Sequence, residues 1–322
     1  MESLSNAMKT LIKPEYRRMA EEKSRELLAD PLLIKWRARY PFVDDEDLKP
    51  HLNAVYQFLK EYKICTTACP GLANCPNDLP GHYTTLIAEQ GGGETKIYDQ
   101  RTPCKRFKAF EAQNTVRRRI KSFYVDDRAL NEGYSHSEIL KIDPDRAPDA
   151  KQLIEYVQET KEKGLQPYGL YLEGEHGVGK TFLMCYLLYE LAKSELTGVI
   201  VYMPDFAEDL KSMFEEPQRL KETIDLLKET DLLVFDDIGA ENLNPWLRDH
   251  VLGAILNYRM NRKPTFFTSN HDLATLERHF SFTSRDGEDE SRGRRLMERI
   301  RPFVQVVTLN GSNKRGVQRP RE

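Results

Sequence analysis

The sequence lacks any run of about 18 uncharged apolar residues, the length a helix needs to cross a bilayer. Its first twenty residues carry several charges and no apolar stretch of export-signal length, so a cytoplasmic protein with no membrane partner is expected. A dominant charge sign is missing as well: 48 Lys and Arg stand against 51 Asp and Glu, a formal net charge of −3. That balance excludes a chain that coats nucleic acid by bulk electrostatics, and any DNA contact is expected from local basic patches. Cysteines are few, five in all, and three of them fall within eleven residues. An odd, clustered set in a chain without an export signal points to metal ligands rather than a disulfide framework.

What is present divides in two, as a length of 322 residues predicts. Residues 14–64 read as helices, with Leu52, Val55, Tyr56 and Leu59 on one face and Leu32, Leu33 and Trp36 forming a shorter stripe. A Cys/Pro/Gly-rich knot covers Cys65–Gly81, and Thr84–Glu89 and Lys96–Asp99 flank three glycines as a hairpin. Residues 105–121 are basic, with a single acid, Glu111. They read as a solvated linker, or as a hinge that also touches nucleic-acid phosphates. The boundaries expected are a small helical domain over 1–110, a linker at about 105–120 and an α/β domain over 111–322. In the second part the candidate strands are Leu170–Glu173, Val199–Met203, Leu232–Asp236, Thr265–Thr268 and Val304–Leu309, separated by helix-length segments. This alternation predicts a five-stranded parallel sheet covered on both faces. The polar stretch Ser284–Arg295 reads as an exposed loop.

The first of those strands runs straight into Gly174-Glu175-His176-Gly177-Val178-Gly179-Lys180-Thr181, and a helical pattern follows. Strand, glycine loop and helix in that order make a phosphate cradle. Backbone N–H groups turn inward around phosphate oxygens, and the helix N-terminus adds partial positive charge. Lys180 would reach the β and γ phosphates of ATP, and the Thr181 hydroxyl would hold Mg²⁺. Asp236 and Asp237 end an apolar strand, where side chains face the ligand crevice of a parallel sheet. Asp236 is placed to hold Mg²⁺ through water, and Asp237 to orient and deprotonate the attacking water. Asn270, after another strand, is placed to hold that water in line.

Cys65, Cys69, Cys75 and His82 supply four zinc-type ligands within eighteen residues, with Pro70, Gly71, Pro76 and Gly81 as turns. Cys104 is an alternative fourth ligand.

The ordered set resembles the AAA+ ATPases, and more narrowly the bacterial replicative helicase loaders of the DnaC/DnaI type. Leu232–Gly239 is similar to their acidic motif, Thr268-Ser269-Asn270 to their first sensor, and Arg295–Ile300 to the helix bearing a trans-acting arginine. The Cys/His cluster resembles the zinc domain of the DnaI branch. The resemblance implies an ATP-dependent loader of the replicative hexameric helicase onto single-stranded DNA in primosome assembly. The N-terminal domain would grip the helicase, and the ATPase domain would bind DNA and self-associate. It also implies His82 as fourth ligand, Arg299 as the residue reaching a neighbour's γ-phosphate, and Arg315 as a second phosphate sensor. A DNA-contacting helix falls on Asp205–Phe214, where Lys211 is the one base. Only 52 residues follow Asn270, too few for the helical lid of larger AAA+ proteins. Asp237 stands where most of them carry Glu, which implies slow hydrolysis. Alternatives are a transposition helper ATPase and a nucleotide-gated adaptor whose hydrolysis is incidental.

Overall fold

The computed structural model describes residues 13–92, 94–125, 130, 147–283, 285, 287–311 and 313. Contacts divide the chain into two compact units, Met1–Ala112 and Gln113–Glu322. Among the described residues no helix is long and apolar enough to cross a membrane.

The first unit holds helices α1 (Pro14–Leu28), α2 (Pro31–Arg37), α3 (Asp45–Leu48) and α4 (Leu52–Thr67), then strands β1 (His82–Gly91) and β2 (Glu94–Pro103). Local chemistry sets the starts. Pro31 opens α2 and the Asp30 carboxylate accepts from the Leu32 amide, while Asp44 and Asp47 close a reciprocal capping box on α3. The buried face of α4 is Val55, Phe58 and Leu59; Tyr56, expected inside, is 46% exposed. The inward stripe is therefore turned by part of a helical step from the one read in the sequence, because Phe58 rather than Tyr56 joins the core that holds Leu86 and Ile97 of the hairpin. The Trp36 indole donates to Leu86 O at 2.8 Å, which satisfies its N–H inside the same core.

Helix α5 (Lys105–Arg118) spans the division and leads into β3 (Ile120–Phe123). The second unit continues with α6 (Ala147–Lys163), β4 (Gly169–Gly174), α7 (Lys180–Ala192), β5 (Gly198–Tyr202), α8 (Met203–Ser212), α9 (Pro217–Glu229) and β6 (Leu232–Asp236). A π-helical turn (Leu247–Leu252), α10 (Gly253–Arg259), β7 (Thr265–Ser269), α11 (Leu273–Ser281), the short pair β8 (Phe282–Thr283) and β9 (Gly287–Glu288), α12 (Glu290–Met297) and β10 (Val304–Leu309) complete it.

The sheet has six parallel strands in the order β10-β4-β7-β6-β5-β3, not the expected five. The extra strand, β3, begins at the very end of the basic run read as linker, most of which is helix α5. Two of that run's arginines serve the fold: Arg117 donates to Ile120 O, and Arg119 to Ala192 O and Glu195. Successive strand residues divide between two cores. Leu232 and Val234 pack with α6 and α7 on one face, and Leu233 and Phe235 with α8–α12 on the other. This period-two split is what doubly covered strands require. The stretch Ser284–Arg295 is not all loop. The Asp289 carboxylate accepts from the Ser291 and Arg292 amides and so starts α12, which buries Gly293, Leu296 and Met297 against α11.

Candidate nucleotide site

β4, β6 and β7 end side by side, and the residues just past them line a cavity of about 310 Å³. Gly174 ends β4 with its Cα against the Leu309 carbonyl, where a built Cβ would stand 2.4 Å from that oxygen. Gly177 lies at φ 78°, and a Cβ there would meet the Asn313 side chain at 2.0 Å. The loop then turns into α7 at Lys180.

Lys180 is 8% exposed, and its ammonium donates to Gly174 O at 2.8 Å, Glu175 O at 2.9 Å and Asn270 Oδ1 at 2.6 Å. The Asn270 amide nitrogen in turn donates to Asp237 Oδ1 at 2.7 Å. A cation on one side and a carboxylate on the other fix which end of the Asn270 amide is oxygen. The Thr181 hydroxyl donates to both oxygens of Asp236, at 2.9 and 3.1 Å, and Thr268 Oγ1 donates to Asp236 Oδ1 at 2.7 Å. Thr268 also accepts the Asp237 amide at 2.8 Å. Burial pushes the Asp236 carboxyl above its ordinary range, the Thr268 and Thr181 hydroxyls and Lys180 oppose this, and the Asp237 charge adds to it. A buried hydroxyl–carboxylate pair beside a lysine is a donor set that would suit a divalent cation.

His176, Gly177 and Gly179 line the same cavity, with Tyr202. Glu175 and Val178 border a second hollow behind the loop, alongside Gly174. Arg299 lines neither. It is half-buried just past α12, donating to Arg295 O at 2.7 Å and Asn257 Oδ1 at 3.4 Å in a basic cleft of about 600 Å³ with Arg248, His250, Arg292 and Arg295. Arg315 lies outside the described residues. On α8, Lys211 pairs with Glu208 at 2.6 Å. Sequence reading missed Thr268, Tyr202 and Asn313. Thr268 begins the Thr-Ser-Asn run already noted, and its hydroxyl was legible there as a partner for a strand-end carboxylate.

In the first unit, Cys65, Cys69, Cys75 and His82 are not assembled as a metal-holding group. Among the described residues no three His, Cys, Asp or Glu side chains are so placed. His82 is engaged elsewhere: Nδ1 lies 3.3 Å from Pro80 O, and the ring packs on Phe107 with centroids 4.5 Å apart. N–H groups of Asn77, Gly81 and Phe107 each donate, at 3.4 Å, to the sulfurs of Cys65, Cys75 and Cys104 respectively. Burial pushes the Cys65 thiol up, and Cys104, Cys69 and Cys75 nearby push it further.

A glycine loop between strand and helix, an acid pair on the neighbouring strand and an amide bridging lysine to acid define a P-loop ATPase unit of the AAA+ kind. Residues 111–264 match the AFG1-like ATPase family, and residues 1–93 match the family described as primosomal protein DnaI N-terminus. The chain is 31% identical over 305 residues to the replicative helicase loader DnaI of Bacillus subtilis (strain 168), covering 94% of this chain and 95% of that protein. Among solved structures, a crystal structure of DnaI matches with a TM-score of 0.50 and 33% identity, over 62% of this chain and 99% of that one. A candidate primosome component from Streptococcus pyogenes serotype M3 matches with a TM-score of 0.50 and 30% identity, over 63% and 99%. The chain belongs to the DnaI family of replicative helicase loaders.

Proposed function

We propose that this protein is an ATP-regulated loader that delivers the replicative hexameric helicase onto single-stranded DNA, in the cytoplasm, during primosome assembly. The observation that carries the reading is the line Lys180–Asn270–Asp237 beside the Thr181–Asp236 pair, in a chain of the helicase-loader family. The match of residues 1–93 to a primosomal N-terminus favours it over a transposition helper or a passive adaptor.

In this reading the loop amides and Lys180 hold the β and γ phosphates, and Thr181 and Asp236 would hold Mg²⁺. Asp237 takes a proton from the attacking water while Asn270 keeps that water in line. The bound Mg²⁺ would neutralise charge developing on the phosphate oxygens. Hydrolysis is slow and partner-stimulated, since the short Asp237 side chain, already tied to Asn270, reaches less far than Glu. The N-terminal unit grips the helicase. The ATPase unit meets DNA and its own copies, with Arg299 reaching a neighbour's γ-phosphate.

A structural Zn²⁺ belongs to this reading too; Cys65, Cys69 and Cys75 would hold it, with Cys104 in place of His82 as the fourth ligand. The support is the N–H donors aimed at three of those sulfurs. Elemental analysis of the full chain should find one zinc, kept in His82→Ala and lost in Cys104→Ala; a folded, metal-free chain rejects the site.

Loading tests the whole reading. Wild-type protein should place helicase on circular single-stranded DNA only with ATP. Lys180→Ala should lose that activity while still co-purifying with helicase. Loading that ignores nucleotide would reject the reading.

A further inference from the structure

The acidic strand runs into a turn, Asp237–Glu241, with left-handed residues at Asp237 (φ 57°) and Gly239 (φ 94°). β7 holds its first half. The Asp237 and Ile238 amides donate to Thr268 Oγ1 at 2.8 Å and Thr268 O at 2.9 Å, and Ser269 Oγ donates to Ile238 O at 2.6 Å. The second half is held differently. The Gly239 amide donates to Glu241 Oε2 at 2.7 Å, and Glu241 Oε1 lies 3.0 Å from His279 Nε2 on α11. Glu241 is 3% exposed, so its carboxylate relies on these two partners in place of water.

We propose that Glu241 is a positioning residue for Asp237, and that His279 ties the geometry of the acidic turn to the α11–α12 hairpin. The proposal rests on the reading of the site as an ATPase. Without Glu241 the Gly239 amide loses its acceptor, and nothing from β7 replaces it. The turn can then relax at its glycine, two residues from the carboxylate that Asn270 holds. His279 makes the restraint conditional on α11, and α11 is locked to α12. The Asp289 amide donates to Ser281 O at 2.6 Å, Gly293 sits directly on Ser281 and Glu277, and Arg301 pairs with Glu277 at 2.9 Å. Arg299 lies between the end of α12 and Arg301. Docking of any partner on that segment therefore presses, through α11 and His279, on the turn that aims Asp237. Spatial continuity alone is not coupling, so the test measures coupling directly.

Four full-length proteins are compared: wild type, Glu241→Ala, Glu241→Gln and His279→Ala. Three quantities are read: hydrogen exchange of a peptide covering residues 237–241, affinity for a fluorescent ADP analogue, and kcat with helicase and single-stranded DNA. Glu241→Ala should lose protection in the turn and lose kcat about 10- to 100-fold, the scale of a misplacement near 1 Å, with nucleotide affinity unchanged. Glu241→Gln should recover both, because its amide oxygen accepts from Gly239 and its nitrogen can face His279. His279→Ala should fall between, and it carries the test if Glu241→Ala does not fold. Unchanged turn protection in Glu241→Ala, or unchanged kcat in His279→Ala, overturns the proposal. So does a parallel loss of nucleotide affinity. A wild type that hydrolyses no ATP under any condition defeats the ATPase reading instead, and turn protection then still decides the role of Glu241.

Discussion

Asp236 ends β6 with its carboxylate buried, and burial raises its pKa while the two threonine hydroxyls and Lys180 hold it back. The sign is plain: a carboxyl raised above its unfolded value adds stability below that value, and loses it as pH climbs through the folded one. Above its unfolded value, Asp236 is a cost to the nucleotide-free fold. Asp236→Asn keeps an oxygen to accept from Thr181 and Thr268 and removes the charge. It should raise the melting temperature without nucleotide, by about 2–4 °C for each kcal/mol regained, while abolishing Mg²⁺-dependent hydrolysis. A lower melting temperature would refute this account. Arg259 makes the opposite case. It is 1% exposed and donates to the carbonyls of Leu227, Lys228, Thr230, Asp231 and Pro264, closing the end of α9. Burial pushes its pKa down to about 10, still charged at neutral pH. Arg259→Met strands those acceptors and should cost about 3 kcal/mol or more in urea unfolding. The phosphate loop and Asp236–Asp237 were legible because their signal is contiguous. Glu241, His279 and Arg259 were not, because nothing local tells a buried, partnered charge from a solvated one.

At the level of elements, the strands of the second unit emerged from short apolar runs nearly as expected, and the misses have physical causes. β3 is four residues long and begins right after arginines that look solvent-bound but cap neighbouring carbonyls. The π-helical turn at Leu247–Leu252 has no sequence period of its own. Helix α12 hid in a polar stretch because its first turn is charged and its buried face includes a glycine. That glycine is tested by Gly293→Ala, whose methyl would stand 2.0 Å from Ser281 Oγ and 2.8 Å from Glu277 O. A backbone oxygen cannot swing aside, so α11 and α12 must separate. The expected loss is about 1–3 kcal/mol despite alanine's better helix propensity. Unchanged stability would mean that the two helices are not closely seated.

Across the whole molecule, the position of Arg299 in a cleft apart from its own chain's phosphate cavity makes self-association testable by mixing. Arg299→Ala should bind ATP but lose assembly-dependent hydrolysis, as Lys180→Ala should lose it for want of bound nucleotide. Combined with helicase and single-stranded DNA, the pair should recover activity at interfaces where each supplies what the other lacks. Turnover that stays flat at every mixing ratio rejects a role in trans.

The sixth strand bears on where this chain tolerates cutting. β5 pairs with β3 along Gly198–Val201, and the Gly198 amide donates to Arg119 O at 2.9 Å. A protease nick or shortened gene that removes residues up to 124 would therefore take away a sheet margin along with the basic segment before it. The newly bared row of β5 amides is an open template for strands of other molecules. Shortened proteins that begin after Tyr124 should precipitate or form larger assemblies, and ones that begin before Arg119 should stay dispersed.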